Sequence, residues 1–392
     1  MTSDKSGTSG NQVMHTISKI SIIFPKILNW LILGLIGISL IIFIISHRRV
    51  YSTVYDTRFW QNEFPKTQLV IGDKADRFYS DTELYAILGY KYALGQNPVT
   101  MHPEVPPLGK QIIGAGIILF RNQNLASLLL GLGGLSLLYL IGLKVSPSRT
   151  VVLLTVLLVS LDRVFHTLIS DSYIDTPQLF LFLLSLYLFL SSLTNQRRFI
   201  LASLSLGLMM ATKFYFNGLL LLAVYLIYLT LQRNFRIFMG FTLSLPAVAI
   251  GYLLPYTYSF ITGFGLTDWI RLQRWMTSWW AGNARVPWGG IFSIIFTGNW
   301  HTWWGNRDII AVGEWTPLWP LAAVLGFISI FQIIKNRNYP GLLLWLWCIF
   351  YLLFLSVTSP FPRYLILLMP FLYLLTLDFI RQLFSRLNKT KT

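Results

Sequence analysis

The chain has 392 residues, of which 54% are hydrophobic and only 12% charged, and its mean hydropathy is +0.59. These values exclude an ordinary soluble domain and describe a polytopic membrane protein, whose apolar runs lack the dyad alternation of an outer-membrane barrel and therefore read as helices of roughly 20 residues. The net charge of +16 collects at the ends of apolar runs, which fits membrane topology and contact with anionic lipid, not nucleic acid.

Residues 1–26 read as a flexible polar N-terminal tail and residues 27–392 as one membrane-embedded domain. The tail lacks a signal peptide's short apolar core and cleavage site, so the first apolar run, Ile27 to Ser46, is expected to remain as an anchor. Lys5, Lys19 and Lys26 precede this run and His47, Arg48 and Arg49 follow it, so charge alone leaves its orientation undetermined.

A polar loop, residues 50–108, comes next. Asp73, Asp76, Asp81, Glu83 and Glu104 lie in the stretch from Gly72 to Lys110 with Glu63 just upstream, six of the chain's fifteen carboxylates gathered beside His102 and Lys110, which marks it as a place for chemistry. From Asp81 to Gly95, Leu84, Tyr85, Leu88 and Tyr92 fall at helical spacing, predicting an amphipathic surface helix with Asp81 near its N-terminus, where the dipole favours a carboxylate. Pro103, Pro106 and Pro107 then break the chain before a helix that starts near Leu108.

Further apolar runs lie at about 109–120, 125–143, 150–161, 174–193, 199–211, 214–231, 236–255, 318–334, 341–358 and 363–380, a count of ten or eleven spans with several shorter than a full crossing. Cys348 sits inside one of them and has no cysteine to pair with in the chain. A second acidic pair, Asp171 and Asp175, occurs in LISDSYIDTPQLF. For it to share a face with Asp81, an even number of crossings must separate them. Three apolar runs intervene, so either 109–120 or 150–161 is expected to be incomplete or re-entrant. Either acid also suits the cap of the helix that begins near residue 174, while Asp162, Arg163 and His166 read as a local structural charge pair.

The second polar insert, residues 256–317, holds Trp269, Trp275, Trp279, Trp280, Trp288, Trp300, Trp303, Trp304 and Trp315. Tryptophan favours the bilayer interface, and its ring faces also stack on sugars. The basic C-terminal end fits the cytoplasm. The chain has no internal repeat and no inverted halves of the kind found in secondary transporters.

Asp81 and Glu83 in SDTELY, followed by His102, Pro103 and the run Pro106-Pro107-Leu108-Gly109-Lys110, resemble the protein O-mannosyltransferase group of the polyprenyl-phosphate-sugar-dependent glycosyltransferases, the GT-C superfamily. In that group an acidic motif follows the first transmembrane helix and a His-Pro-Pro-Leu-Gly-Lys motif opens the second. LISDSYIDTPQLF, MMATKFYFNGLLLL and SPFPRYLILLMPFLYLL resemble later segments of the family in the same order. There are two departures. The acidic pair is split by Thr82 where the family has adjacent Asp-Glu, which leaves open which of the two is catalytic. An insertion in HPEVPPLGK leaves Glu104 without a counterpart.

The resemblance implies an all-α, polytopic transmembrane bundle, GT-C-like, with two large non-cytoplasmic loops carrying amphipathic surface helices. It implies an inverting transfer of a mannose-like sugar from a polyprenyl-phosphate carrier to an acceptor hydroxyl, the acceptor being protein, glycan or lipid. Asp81 is then the base, with Glu83 beside it, and His102, Glu104, Lys110, Lys213 and Arg363 face the donor and its phosphate. Asp171 and Asp175 form the second acidic cluster. A divalent metal held by Glu104 and Asp171, together with His102 and Asp175, is compatible with mixed nitrogen and oxygen ligation. Lys110, Lys213 and Arg363 also suit snorkelling at helix ends. The expected setting is the plasma membrane, with the site on its non-cytoplasmic face. A transporter or flippase for a lipid-linked substrate is the alternative, although it needs charges along a mid-membrane path, and here they lie mainly at span ends and in loops.

Overall fold

The computed structural model describes residues 7–283, 287–303 and 306–389. Each long apolar run is a helix, because a backbone in hydrocarbon must satisfy its polar groups within its own segment. Among the described residues six helices are long and apolar enough to cross a membrane by length and composition: Lys26–Ser46, Leu125–Val145, Asp175–Ser192, Phe235–Ile261, Leu318–Lys335 and Tyr339–Ser356. A bent pair, Arg149–Leu161 with Arg163–Ser170, makes a seventh. The larger count expected from sequence includes Leu108–Phe120, Phe199–Met210, Tyr215–Leu231 and Met369–Lys389, of which the first three have 13, 12 and 17 residues and the last is charged toward its end.

The first helix spans Gly7–Ser46, so its backbone begins inside the segment expected to be a flexible tail; residues 1–6, including Lys5, lie outside the described residues. Its crossing part is peripheral, with only 17% buried, and it leans chiefly on the Arg149–Leu161 helix.

Two crossings separate the acidic segments, and the short helix Leu108–Phe120 is the reason. It stops at Arg121, which adopts a left-handed conformation (φ 53°), and the Arg121 carbonyl accepts a hydrogen bond from the Tyr55 amide at 2.8 Å. Asn122 Nδ2 donates to the carbonyls of Val50 and Thr53 at 2.8 and 2.9 Å. Those residues follow the first span directly, so this helix starts and ends on one side of the bundle. Leu125–Val145 then crosses and the bent pair returns, where Ser172 Oγ donates to the Thr82 carbonyl at 3.0 Å. Of the two runs suspected of being incomplete, 109–120 is the one that does not cross.

The return crossing bends by 61° at Asp162. This carboxylate accepts from the Val164 amide (2.9 Å), Tyr373 Oη (3.0 Å) and Trp319 Nε1 (3.3 Å), and so caps the second half of the pair. The local pairing expected among Asp162, Arg163 and His166 gives way to these caps: Arg163 donates to the Gly313 carbonyl, and His166 Nε2 lies 2.8 Å from the Ser160 carbonyl.

The helix Asp81–Ala93 is enclosed, not one-faced as its spacing predicted. Leu84, Tyr85, Leu88 and Tyr92 are buried, but so are Thr82, Ala86, Ile87 and Gly89. It crosses Leu108–Phe120 backbone to backbone: a Cβ added at Gly114 would lie 1.9 Å from the Gly89 carbonyl oxygen. Two glycines are what allow this approach.

The second insert folds as a helix, Leu266–Asn283, a short helix, Gly290–Thr297, and an antiparallel strand pair, Asn299–His301 with Ile309–Ala311; Trp304 lies outside the described residues. Several of its tryptophans are internal ties: Trp300 Nε1 donates to the Pro360 carbonyl and Trp315 Nε1 to the Ile295 carbonyl. Trp275 and Trp288 remain exposed. The two inserts meet where Ser259 Oγ donates to Asn97 Oδ1 (2.7 Å) and Trp280 Nε1 to the Glu104 carbonyl (2.9 Å).

Candidate active site

Ser80 caps the Asp81–Ala93 helix. Its Oγ accepts from the Glu83 amide at 3.3 Å, while Glu83 Oε2 accepts from the Ser80 amide at 2.8 Å, a reciprocal capping box. Arg77 adds two hydrogen bonds to Glu83 Oε1, both at 3.0 Å. Glu83 is therefore engaged in shaping the helix start. Asp81 has no capping duty, and its side chain is 48% exposed. The two acids expected to share catalysis hold different posts.

Asp81 faces Arg363, which lies in the 3-10 turn Pro362–Leu367. Nη2 donates to Asp81 Oδ2 at 2.8 Å, and Nε of the same guanidinium is 3.5 Å from Asp175 Oδ2. Asp175 opens the helix Asp175–Ser192 and is almost fully buried; its other oxygen accepts a hydrogen bond from Lys213. Lys213 sits in the turn between Phe199–Met210 and Tyr215–Leu231, 4.1 Å above the Tyr364 ring. Burial pulls its pKa down to about 8, with the Asp175 charge opposing that fall. The buried carboxylate has two cationic partners for its charge, but its Oδ2, facing Arg363 Nε, has no hydrogen bond, and loss of either cation leaves an uncompensated charge in the group. The rings of Phe361 and Tyr173 flank the Arg363 guanidinium at 4.2 and 5.0 Å.

Asp171 stands apart from this set. Its Oδ1 accepts from the Ser172 amide at 2.8 Å, and burial raises its pKa. Of the two acids in LISDSYIDTPQLF, only Asp175 joins the cations.

A second group lies beside the first. Lys110, fully buried, directs Nζ at His102 Nδ1 (3.0 Å) and at the carbonyls of His102 and Val105 (both 3.3 Å). His102 Nε2 is 3.6 Å from Glu104 Oε2, and the Glu104 side chain is 30% exposed. Burial draws Lys110 down to about 7, against the pull of Glu104. His102 is held below its ordinary value by burial and by the neighbouring ammonium. Glu104 is raised by burial, with Lys110 opposing and Asp81 adding to the rise.

The motif turn is locked onto the Lys213 turn. The Leu108 amide donates to the Ala211 carbonyl at 2.9 Å, and a Cβ on Gly109 would meet the Thr212 carbonyl at 2.6 Å and Ile174 at 2.8 Å. Tyr85 stands between the two groups, its ring edge-on to His102 at 6.4 Å. Sequence reasoning missed Tyr85, Tyr173 and Tyr364; the adjacency of Tyr364 to Arg363 and of Tyr173 to the second acidic pair was the available signal.

Among the described residues no three of His, Cys, Asp and Glu gather as a cation-binding set. Glu104 belongs with His102 and Asp171 with Ser172, so the side chains proposed for a divalent metal do not fit one.

Residues 104–257 match the family model described as dolichyl-phosphate-mannose-protein mannosyltransferase. That segment carries Glu104, Lys110, Asp171, Asp175 and Lys213, and leaves Asp81 and Arg363 on either side. No curated protein matches the sequence. ArnT from Cupriavidus metallidurans bound to undecaprenyl phosphate superposes with a TM-score of 0.57 at 15% identity, over 90% of this chain and 60% of that one. The apo form of the same protein gives 0.51 at 17% identity, over 76% and 54%. AglB, the oligosaccharyltransferase of Archaeoglobus fulgidus, in complex with an inhibitory peptide and a dolichol-phosphate, reaches 0.49 at 13% identity, over 93% and 52%. The chain thus spans little more than half the length of the ArnT structures it matches. The fold is the polytopic helical fold of these ArnT structures, in keeping with what the motifs implied.

Proposed function

We propose that the protein is an integral-membrane glycosyltransferase that moves a mannose-like sugar from a polyprenyl-phosphate carrier to an acceptor hydroxyl with inversion. The observation that carries this reading is Arg363, which joins an exposed carboxylate, Asp81, to a buried one, Asp175, that also holds Lys213. A base and two phosphate-seeking cations therefore stand side by side. The acceptor oxygen attacks the anomeric carbon as its proton passes to Asp81. The bond from that carbon to the phosphate oxygen breaks, and the polyprenyl phosphate departs with the electron pair, its charge met by Lys213 and Arg363. The description of the matching family model supports a mannosyl donor, and the undecaprenyl phosphate bound by ArnT supports a polyprenyl carrier.

Charge supports a non-cytoplasmic site in a cell membrane. At the far end of the bundle the short turns carry Lys144, Arg149, Arg197, Arg198, Arg233, Arg236, Lys335, Arg337 and Arg381, and among the described residues Asp378 is the one carboxylate there. Hydrogen bonds from Asn338 Nδ2 to the Val145 carbonyl (2.9 Å) and from Ser146 Oγ to Asp378 (2.6 Å) tie those turns together. The positive-inside rule makes that end cytoplasmic.

The test is release of polyprenyl phosphate from a panel of lipid-phosphate sugars by purified protein. Asp81→Asn should lower turnover by at least about 10²-fold with donor binding retained. Glu83→Gln should cost about 1 kcal/mol of stability through the capping box and change turnover little. Turnover that Asp81→Asn leaves intact would remove Asp81 as the base, and donor binding without turnover for every donor and acceptor tried would favour a carrier.

A further inference from the structure

Lys110 belongs to the motif that would be expected to meet the donor phosphate, yet its surroundings leave a phosphate no approach. Three ammonium protons have three acceptors, His102 Nδ1 and the carbonyls of His102 and Val105, and the Tyr92 ring lies 5.5 Å away. The side chain is 0% exposed. While Lys110 is an ammonium it offers no lone pair, so His102 Nδ1 is then the acceptor and the imidazole proton sits on Nε2. That nitrogen points toward Glu104 Oε2, 3.6 Å away. From the other insert, Trp280 Nε1 holds the Glu104 backbone carbonyl at 2.9 Å. Glu104 is thus held through its backbone, while its carboxylate faces His102 beyond hydrogen-bond distance and keeps an open side.

We infer that Lys110 and His102 are positioning residues and not donor ligands: Lys110 Nζ braces His102 Nδ1 and the carbonyls of His102 and Val105 on either side of Glu104, and this chain of contacts, with His102 Nε2 facing Glu104 Oε2, sets Glu104 as a second carboxylate at the mouth of the site. The inference rests on the glycosyltransferase reading for what Glu104 serves, namely a hydrogen bond from the incoming acceptor. It assigns the phosphate to Arg363 and Lys213; Lys213 is also buried, 7% exposed, but its ammonium bonds the Asp175 carboxylate and, unlike that of Lys110, is not ringed by backbone carbonyls. Glu104 lies two residues after His102 in HPEVPPLGK, in the turn that Lys110 braces.

The test compares full-length wild type, Lys110→Met, Lys213→Met, Glu104→Gln and the Lys110→Met/Glu104→Gln double variant in nanodiscs. Undecaprenyl phosphate is the binding probe, and a polyprenyl-phosphate mannose with water as acceptor is the turnover probe. Lys110→Met should bind the lipid phosphate within about twofold of wild type, whereas Lys213→Met should lose at least about tenfold, as removal of a charge-assisted bond does. Lys110→Met and Glu104→Gln should each slow turnover, and the double variant should be no slower than the worse single one. Loss of phosphate binding in Lys110→Met equal to that in Lys213→Met, or additive effects on turnover, would overturn the inference. His102→Gln breaks the chain while leaving the ammonium an acceptor, and it takes the place of Lys110→Met if that variant does not fold. Nitrogen NMR of histidine-labelled wild type decides the matter without turnover: a neutral His102 protonated on Nε2 is expected, and a charged or Nδ1-protonated ring overturns it. A wild type that binds no lipid phosphate would instead defeat the glycosyltransferase reading, with the NMR result still ruling on the chain.

Discussion

Arg363 donates to Asp81 at 2.8 Å from one side of its guanidinium and stands 3.5 Å from Asp175 on the other. The guanidinium occupies one oxygen of Asp81, so that oxygen becomes free for an acceptor hydroxyl once another anion draws Arg363 away. The donor phosphate is that anion in the proposed reaction, and Asp175 keeps Arg363 nearby after the exchange.

Arg363→Met should therefore raise the donor KM at least about tenfold, and Arg363→Lys should recover only part of the loss, since a point charge cannot span two carboxylates as a planar fork does. Steady-state kinetics with varied donor measures both. A donor KM unchanged in Arg363→Met would separate this residue from the phosphate.

The pH dependence should carry the mark of Glu104. Burial raises its pKa, Lys110 opposes the rise and Asp81 adds to it, while His102, the other group facing it, is held neutral. The acid is needed ionised, so activity should fall as pH drops through a value above the ordinary glutamate range, about 4.3. In Glu104→Gln the acid limb of the rate profile should move to lower pH. An acid limb identical in the two proteins would count against a role for this carboxylate.

Gly114 and Gly109 are set by backbone neighbours. A Cβ at Gly114 would fall 1.9 Å from the Gly89 oxygen and one at Gly109 2.6 Å from the Thr212 oxygen, and neither contact can rotate away. Each alanine variant should lose about 1–3 kcal/mol, the usual cost of overpacking, or more where the helix pair must separate. Thermal unfolding in detergent measures this. Gly34, with nothing within 4 Å of its Cβ position, supplies the control and should tolerate alanine.

Much of this architecture was legible in the residues, because hydrocarbon forces long apolar runs into helices and proline marks where they start. Most helix ends fall within a few residues of the apolar runs; Asp81, Asp175, Lys213 and Arg363, spread over 282 residues, lie together, while Asp171, expected to share the site with Asp81, stands apart. What the sequence concealed depends on who sits opposite. Nothing in LGKQIIGAGIILF reveals that Asn122 will bond back to Val50 and keep the helix on one side. Lys110 looks like a phosphate ligand until the carbonyls that fill its coordination are seen. The helix after Asp81 read as one-faced because its polar side carries small residues, which a neighbouring backbone can also cover. The capping box was there to be read in Ser80-x-x-Glu83 and would have parted Glu83 from Asp81.

The helix Leu108–Phe120 has a mechanical consequence. Its 13 residues, about 20 Å of helix, run from the site to the exit of the first span without changing sides. It is a brace, and the lightly buried first span is its outrigger, set off from the chemistry by the length of the beam. Tension or tilt in that outer helix, such as a bilayer of different thickness imposes, reaches the site as a push or pull along one axis. That axis ends at the turn where His102, Glu104 and Lys110 meet.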